Sequence, residues 1–300
     1  MKNILTLSLL ALFLWSSPTL GQTPPTPSDA YQWHKAHSAK GVLILFPGFG
    51  HNAASTQSEF PIVEAANQAG FSVLLFNFNR HLWLNTEEQA TLAELTHNLL
   101  AYEGQPMDKV FIGGYSSGGN VALLLSNYLL EQEHPIMPRG VFVVDSPIDL
   151  QQLYEHSALA VERNVAQVAV NEGQYLKQLF AQALGHPSQD LPNYQEASPY
   201  THSSGTITNI AALNHTPLRL YTEPDLNWWQ TERGVQDLSE TNSGTLHQLE
   251  RFLAEEDGWH QVEYVATSGK GYRADGTRHP HSWSIVDVPE LLEWMDKIAE

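Results

Sequence analysis

The sequence predicts an α/β domain on a doubly wound, mostly parallel sheet covered by helices. Three observations predict it. Short β-branched and aromatic runs alternate with longer amphipathic stretches. The run Gly41-Val-Leu-Ile-Leu-Phe46 is apolar throughout and stops at Pro47-Gly48, as a strand buried on both faces should. One interval, Asp149 to about Asn209, is far longer than a single crossover helix needs, which predicts a helical insertion.

The predicted strands, in order, are Gly41 to Phe46, Phe71 to Phe78, Lys109 to Tyr115, Gly140 to Asp145, Leu218 to Glu223 and Val262 to Thr267. Between them, Ser58 to Gln68 reads as a helix stopped by Gly70. Thr86 and Gln89 suggest a capping box ahead of the stripe Leu92, Leu95, Leu99. Val121, Leu124, Leu125 and Tyr128 share one helical face after Gly119. The long interval contains helical stretches near Ala158–Val170 and Tyr175–Leu184, an arrangement expected either of an extra surface helical pair or of a cap over a site. Leu291, Leu292 and Met295 mark a last helix.

The N-terminus reads as a targeting segment. Lys2 precedes the apolar run Ile4 to Trp15, which is short for a membrane span, and Thr19 and Gly21 suit a cleavage site. Residues 1–21 are therefore expected to be a signal peptide, 22–30 a Pro-rich leader and 31–300 the folded domain, with its insertion at about 150–209. The expected location is periplasmic or extracellular, without stable membrane insertion of the mature chain. No cysteine is present, so neither a lipid-attached N-terminus nor a disulfide is available, and a core of this size needs no covalent staples. Loss of Lys2 would move the net charge from −18 to about −19. Such a surface repels phosphate backbones, so nucleic acid is not expected as a partner.

Gly114-Tyr-Ser-Ser-Gly118 carries the chemistry. It follows a predicted strand and opens a predicted helix. A serine on so sharp a turn holds strained dihedrals, so its neighbours two residues away must be small. Ser116 would then stand exposed at the strand end, near the positive end of a helix. Acyl transfer also needs donors for an oxyanion. The backbone N–H of Ser117 is one candidate, and that of Phe49, on the loop Phe46-Pro-Gly-Phe-Gly50, is the other. The same loop mimics a dinucleotide fingerprint, but the next strand ends in Asn77-Phe-Asn79 where an acidic residue belongs. No cofactor is expected.

On these motifs the chain resembles the α/β-hydrolase superfamily, from about Gly41 to the C-terminus. The resemblance implies the order nucleophile, acid, base, with the acid after the strand that follows the insertion. Leu218-Arg-Leu-Tyr-Thr-Glu-Pro-Asp225 matches that segment and gives Asp225 the acid position, with Glu223 as first substitute and Asp145 or Asp149 as second. Arg278-His-Pro-His-Ser-Trp-Ser284 resembles the family's histidine loop. His281 is preferred to His279 as base because it directly precedes the final helix. The i, i+2 histidines lack the spacing and third ligand of a zinc site, so no metal is expected. Trp228, Trp229 and Trp283 flank the acid and base segments and are either core or a substrate pocket. The implied activity is hydrolysis of carboxylic esters, small or polymer-borne, with a peptidase or a non-catalytic binding module on the same fold as alternatives.

Overall fold

The structure is a computed structural model that describes residues 30–78 and 80–299. The expected signal peptide, and the leader apart from Ala30, lie outside the described residues. The sheet has seven strands: β1 (Tyr31–His34), β2 (Gly41–Phe46), β3 (Phe71–Phe76), β4 (Val110–Tyr115), β5 (Pro138–Val144), β6 (Leu218–Thr222) and β7 (Val262–Ala266). Their order is β1-β3-β2-β4-β5-β6-β7. Every pairing is parallel except β1 with β3, which is antiparallel. The six predicted strands are all present. β1 was not anticipated, because four residues with one apolar–polar alternation give little signal, and its place at the sheet edge leaves all four half-buried.

Alternation along the strands divides the core into two faces. Leu43, Leu45, Val73, Leu75, Phe142 and Val144 meet α1 (Ala53–Glu59), α2 (Val63–Gln68) and α10 (Val288–Ala299). Val42, Ile44, Val110 and Ile112 face α3 (Thr86–Tyr102) and α4 (Ser117–Glu131). Val141, Val143, Leu218 and Leu220 continue toward α9 (Asn242–Leu253). Burial on both faces is why the central strands read as unbroken apolar runs.

Several helix boundaries differ from expectation for local reasons. The single helix expected before Gly70 is two: Phe60 N–H still donates to Thr56 O, but Pro61 has no N–H to continue the ladder. The capping box of α3 starts one residue earlier than expected, with Asn85 Oδ1 accepting from Glu88 N and Glu88 Oε2 accepting from Asn85 N. The insertion comprises α5 (Leu150–Arg163), α6 (Gln167–Ala183) and α7 (Pro187–Ala197). The stretch expected to be helical at Ala158–Val170 is broken by Asn164, which caps α5 in the left-handed conformation (φ 50°). Between β6 and β7 lie α9 and the shorter α8 (Leu226–Arg233), neither of which was anticipated. Among the described residues no helix is long and apolar enough to cross a membrane.

The insertion has its own apolar centre. Leu150 and Tyr154 of α5 pack with Leu176 and Phe180 of α6 and Tyr194 of α7, and Leu82 and Phe49 reach into them from the sheet's loops. It therefore lies over the ends of the central strands.

Candidate active site

β4 ends at Tyr115 and α4 begins at Ser117, leaving Ser116 alone in the turn. Its backbone has φ 54° and ψ −129°, a region that a residue with a side chain occupies only when its surroundings impose it. The surroundings are glycines. A Cβ on Gly114 would lie 2.0 Å from Gly118 O, and one on Gly118 would lie 2.4 Å from Pro47 O. A Cβ on Gly48 would lie 3.2 Å from Ser116 Cβ, so the loop after β2 sits directly on the turn. That loop makes a tight turn closed by His51 N–H donating to Gly48 O at 3.0 Å. Gly50 takes φ 78° in its third position, which a residue with a Cβ disfavours. Phe49 occupies the second position, where the turn does not use the backbone N–H. Ser117 is buried as the first residue of α4, so its N–H is among the helix's four donors without an intrahelical acceptor.

Ser116 Oγ lies 3.1 Å from His281 Nε2, and His281 Nδ1 lies 2.6 Å from Asp145 Oδ2. The residue facing the imidazole from behind is thus Asp145, which corrects the placement expected for Asp225. Strand order supplies the reason. Ser116 N–H donates to Val144 O, so the ends of β4 and β5 are lateral neighbours and Asp145 follows directly. Asp225 lies three residues beyond the end of β6, a strand one place further from β4, about 5 Å more. Asp145 also adopts a left-handed backbone, φ 46°. Its Oδ1 accepts from Thr222 Oγ1 at 3.0 Å, and its carbonyl accepts from Asn242 Nδ2 at 2.8 Å. With 2% exposure it is an anchored, buried carboxylate.

Asp225 instead caps α8 by accepting from Trp228 N–H at 3.0 Å, and its other oxygen meets Arg278 at 2.6 Å. Glu223 also pairs with Arg278. Asp149 caps α5 and accepts from His202 N–H at 2.8 Å, which ties the two ends of the insertion together.

His281 reaches Ser116 from a loop held by Tyr115, whose hydroxyl donates to His281 O at 2.8 Å. Burial pushes the Tyr115 hydroxyl pKa up, so that donor keeps its proton. His279 lies on the same loop with its ring 6.1 Å from that of His281 and packed on Trp228. Burial, reinforced by the Arg273 charge, lowers its pKa to about 3, so it is neutral near pH 7. Among the described residues no group of three or more His, Asp or Glu side chains could hold a metal ion.

The hydroxyl opens on a cavity of about 270 Å³. Phe49, Leu82, Leu153, Ala160 and Leu176 form an apolar wall, and Trp229, Arg233, Glu240, Asn242 and His279 face them. Two ion pairs join these walls. Arg163 holds Glu240 through both oxygens, at 2.5 and 2.8 Å, and Arg233 meets Glu172 of α6 at 3.1 Å. Of the three tryptophans, only Trp229 lines this space. Trp228 stands behind it, 5.1 Å from Trp229. Trp283 is a correction to the pocket expectation: it is buried and stacked on Phe60 at 4.6 Å, beneath the site. Sequence reasoning missed Thr222, Asn242 and Arg278, whose types are common on surfaces and carry no local signature.

No protein-family model and no curated protein matches the chain. Solved structures do. Mycobacterium tuberculosis MPT51 superposes with a TM-score of 0.59 at 15% identity, over 95% of this chain and 98% of that one. An esterase/lipase from an uncultured bacterium gives 0.55 at 16% identity, over 90% and 81%. A fungal esterase from Rhizomucor miehei gives 0.54 at 14% identity, over 87% and 76%. At these identities the likeness concerns the fold, and the chain has the α/β-hydrolase fold.

Proposed function

On that fold, we propose that the protein is a serine hydrolase acting on carboxylic esters through Ser116, His281 and Asp145. One observation carries the reading: the continuous line from Ser116 Oγ to His281 Nε2 (3.1 Å) and from His281 Nδ1 to Asp145 Oδ2 (2.6 Å). His281 takes the hydroxyl proton as Oγ attacks the ester carbonyl. Asp145 accepts the Nδ1 proton in a hydrogen bond, fixing the tautomer and stabilising the imidazolium. The backbone N–H groups of Ser117 and Phe49 receive the oxyanion. Collapse expels the alcohol, which takes the proton from His281 Nε2 and leaves an acyl group on Ser116. Water, deprotonated by the same imidazole, then releases the acid and restores the hydroxyl.

The cavity supports an ester with an apolar acyl group, since the wall beside Ser116 is aliphatic and aromatic. The segment 1–21 supports export of the chain to the periplasm or the medium.

A fluorophosphonate probe tests the reading. It should label the wild-type protein and Ser117→Ala, and should not label Ser116→Ala. Labelling that survives Ser116→Ala removes the proposed nucleophile. Turnover of a peptide panel but not an ester panel would replace the ester assignment with a peptidase.

A further inference from the structure

β6 ends at Thr222, and the next residue, Glu223, carries a carboxylate that is 2% exposed. A charge so buried must be paired and hydrogen-bonded to be tolerated. Its Oε2 accepts from Thr267 Oγ1 at 2.9 Å, Lys270 N–H at 2.8 Å and Gly271 N–H at 3.0 Å. Its Oε1 meets Arg278 Nη2 at 2.5 Å. All four partners belong to the segment between β7 and His281.

Outside this cluster the segment is held by scattered contacts rather than by regular structure, among them Tyr272 N–H to Ser284 Oγ at 2.7 Å, Ala274 N–H to Glu59 Oε2 at 3.0 Å and the Tyr115 hydroxyl to His281 O at 2.8 Å. Residues 267–282 contain neither helix nor ladder strand, and only one isolated bridge joins Tyr272 to Arg278. Arg278 fills the space between its base and the end of β6. One nitrogen lies between Glu223 and Asp225, and the other donates to Gly271 O at 2.6 Å. The fit is close enough that a Cβ on Gly271 would lie 2.6 Å from Arg278 Nη1. Gly271 O in turn accepts from His279 N–H at 2.9 Å, two residues before His281. A short, proline-stiffened path therefore connects Glu223 to the imidazole.

The geometry points to Glu223 and Arg278 as positioning residues that set the reach of His281 to Ser116. The inference rests on the Ser116–His281–Asp145 reading above. A planar guanidinium meets two carboxylates and a carbonyl only when the loop is in one conformation, so the pairing selects that conformation. The acid position expected after β6 is thereby a structural clamp. Glu223 and Arg278 do not line the cavity, so loosening the loop affects the chemical step more than substrate binding.

Arg278→Ala, Arg278→Lys and Glu223→Gln would be compared with p-nitrophenyl butyrate as substrate and circular dichroism as the check on folding. Arg278→Ala should lower kcat roughly 100-fold, the scale of a misplacement near 1 Å, while KM stays within about twofold. Added ethylguanidinium should restore part of that kcat. Arg278→Lys should remain impaired, because an ammonium cannot make the forked contact. Glu223→Gln should also lose kcat. A folded Arg278→Ala with wild-type kcat overturns the inference, as does a loss confined to KM. If Arg278→Ala does not fold, wild-type kcat in both Arg278→Lys and Glu223→Gln overturns it equally. Failure of the wild-type protein to be labelled at Ser116 would instead defeat the hydrolase reading.

Discussion

Asp145 and His281 are 136 positions apart in the chain, yet Asp145 Oδ2 and His281 Nδ1 stand 2.6 Å from each other. The contact exists because β5 adjoins β4 and because the last loop crosses back over the end of β4. Asp225 satisfies the linear order expected of an acid, but it caps α8 and pairs with Arg278.

The two carboxylates can therefore be separated by amide substitution. Asp145→Asn should lower kcat about 10⁴-fold, because the amide favours the wrong imidazole tautomer. Asp225→Asn should retain most activity and lose a little stability from a weakened cap. Steady-state kinetics on both variants decides the matter, and a dead Asp225→Asn beside an active Asp145→Asn reverses it.

Glycine replacements should rank by what a Cβ would meet. At Gly114 it meets Gly118 backbone at 2.0 Å, so Gly114→Ala should cost about 3 kcal/mol or more and lose probe labelling. At Gly50 it meets nothing within 4 Å, and only φ 78° opposes it. Gly50→Ala should cost about 1 kcal/mol. Urea unfolding of the two variants measures the difference.

His279 and His281 should separate in both kinetics and pH dependence. His281→Ala should reduce kcat about 10³-fold or more, and His279→Ala far less. Burial lowers the folded pKa of His279 to about 3, below its ordinary 6.5. The unfolded chain therefore takes up this proton first, and the contribution to stability falls as pH drops from about 6.5 toward 3. If His279 carries the effect, the melting temperature of the wild type should fall more steeply than that of His279→Phe as pH drops across that range. Parallel curves would exclude it.

The cavity wall should set the acyl length accepted. Ala160 lines it from α5, so Ala160→Trp should lower kcat/KM for octanoate esters by about tenfold or more. Acetate esters should be much less affected. An equal loss on both would place the acyl group elsewhere.

Local pattern alone determined much of this protein. The central strands are apolar on both faces because both are buried, and the glycines around Ser116 are required by a backbone turn a few residues long. These are short-range constraints, visible wherever the chain is read. The loop at Phe46 to Gly50 and the insertion after Asp149 were legible in the same way, through turn residues and an overlong interval. Tertiary structure decided the partnerships. Which of Asp145, Asp149, Glu223 and Asp225 faces the imidazole depends on strand adjacency, and nothing in the residues beside each one records it. Trp229 lines the cavity while Trp283 is core for the same reason: a tryptophan's flanking sequence is compatible with either, and only packed neighbours distinguish them. Arg278 reads as a surface cation until the fold brings two carboxylates to it. Such contacts depend on chain segments tens to hundreds of residues away, whereas local pattern extends only over a helix turn or a strand.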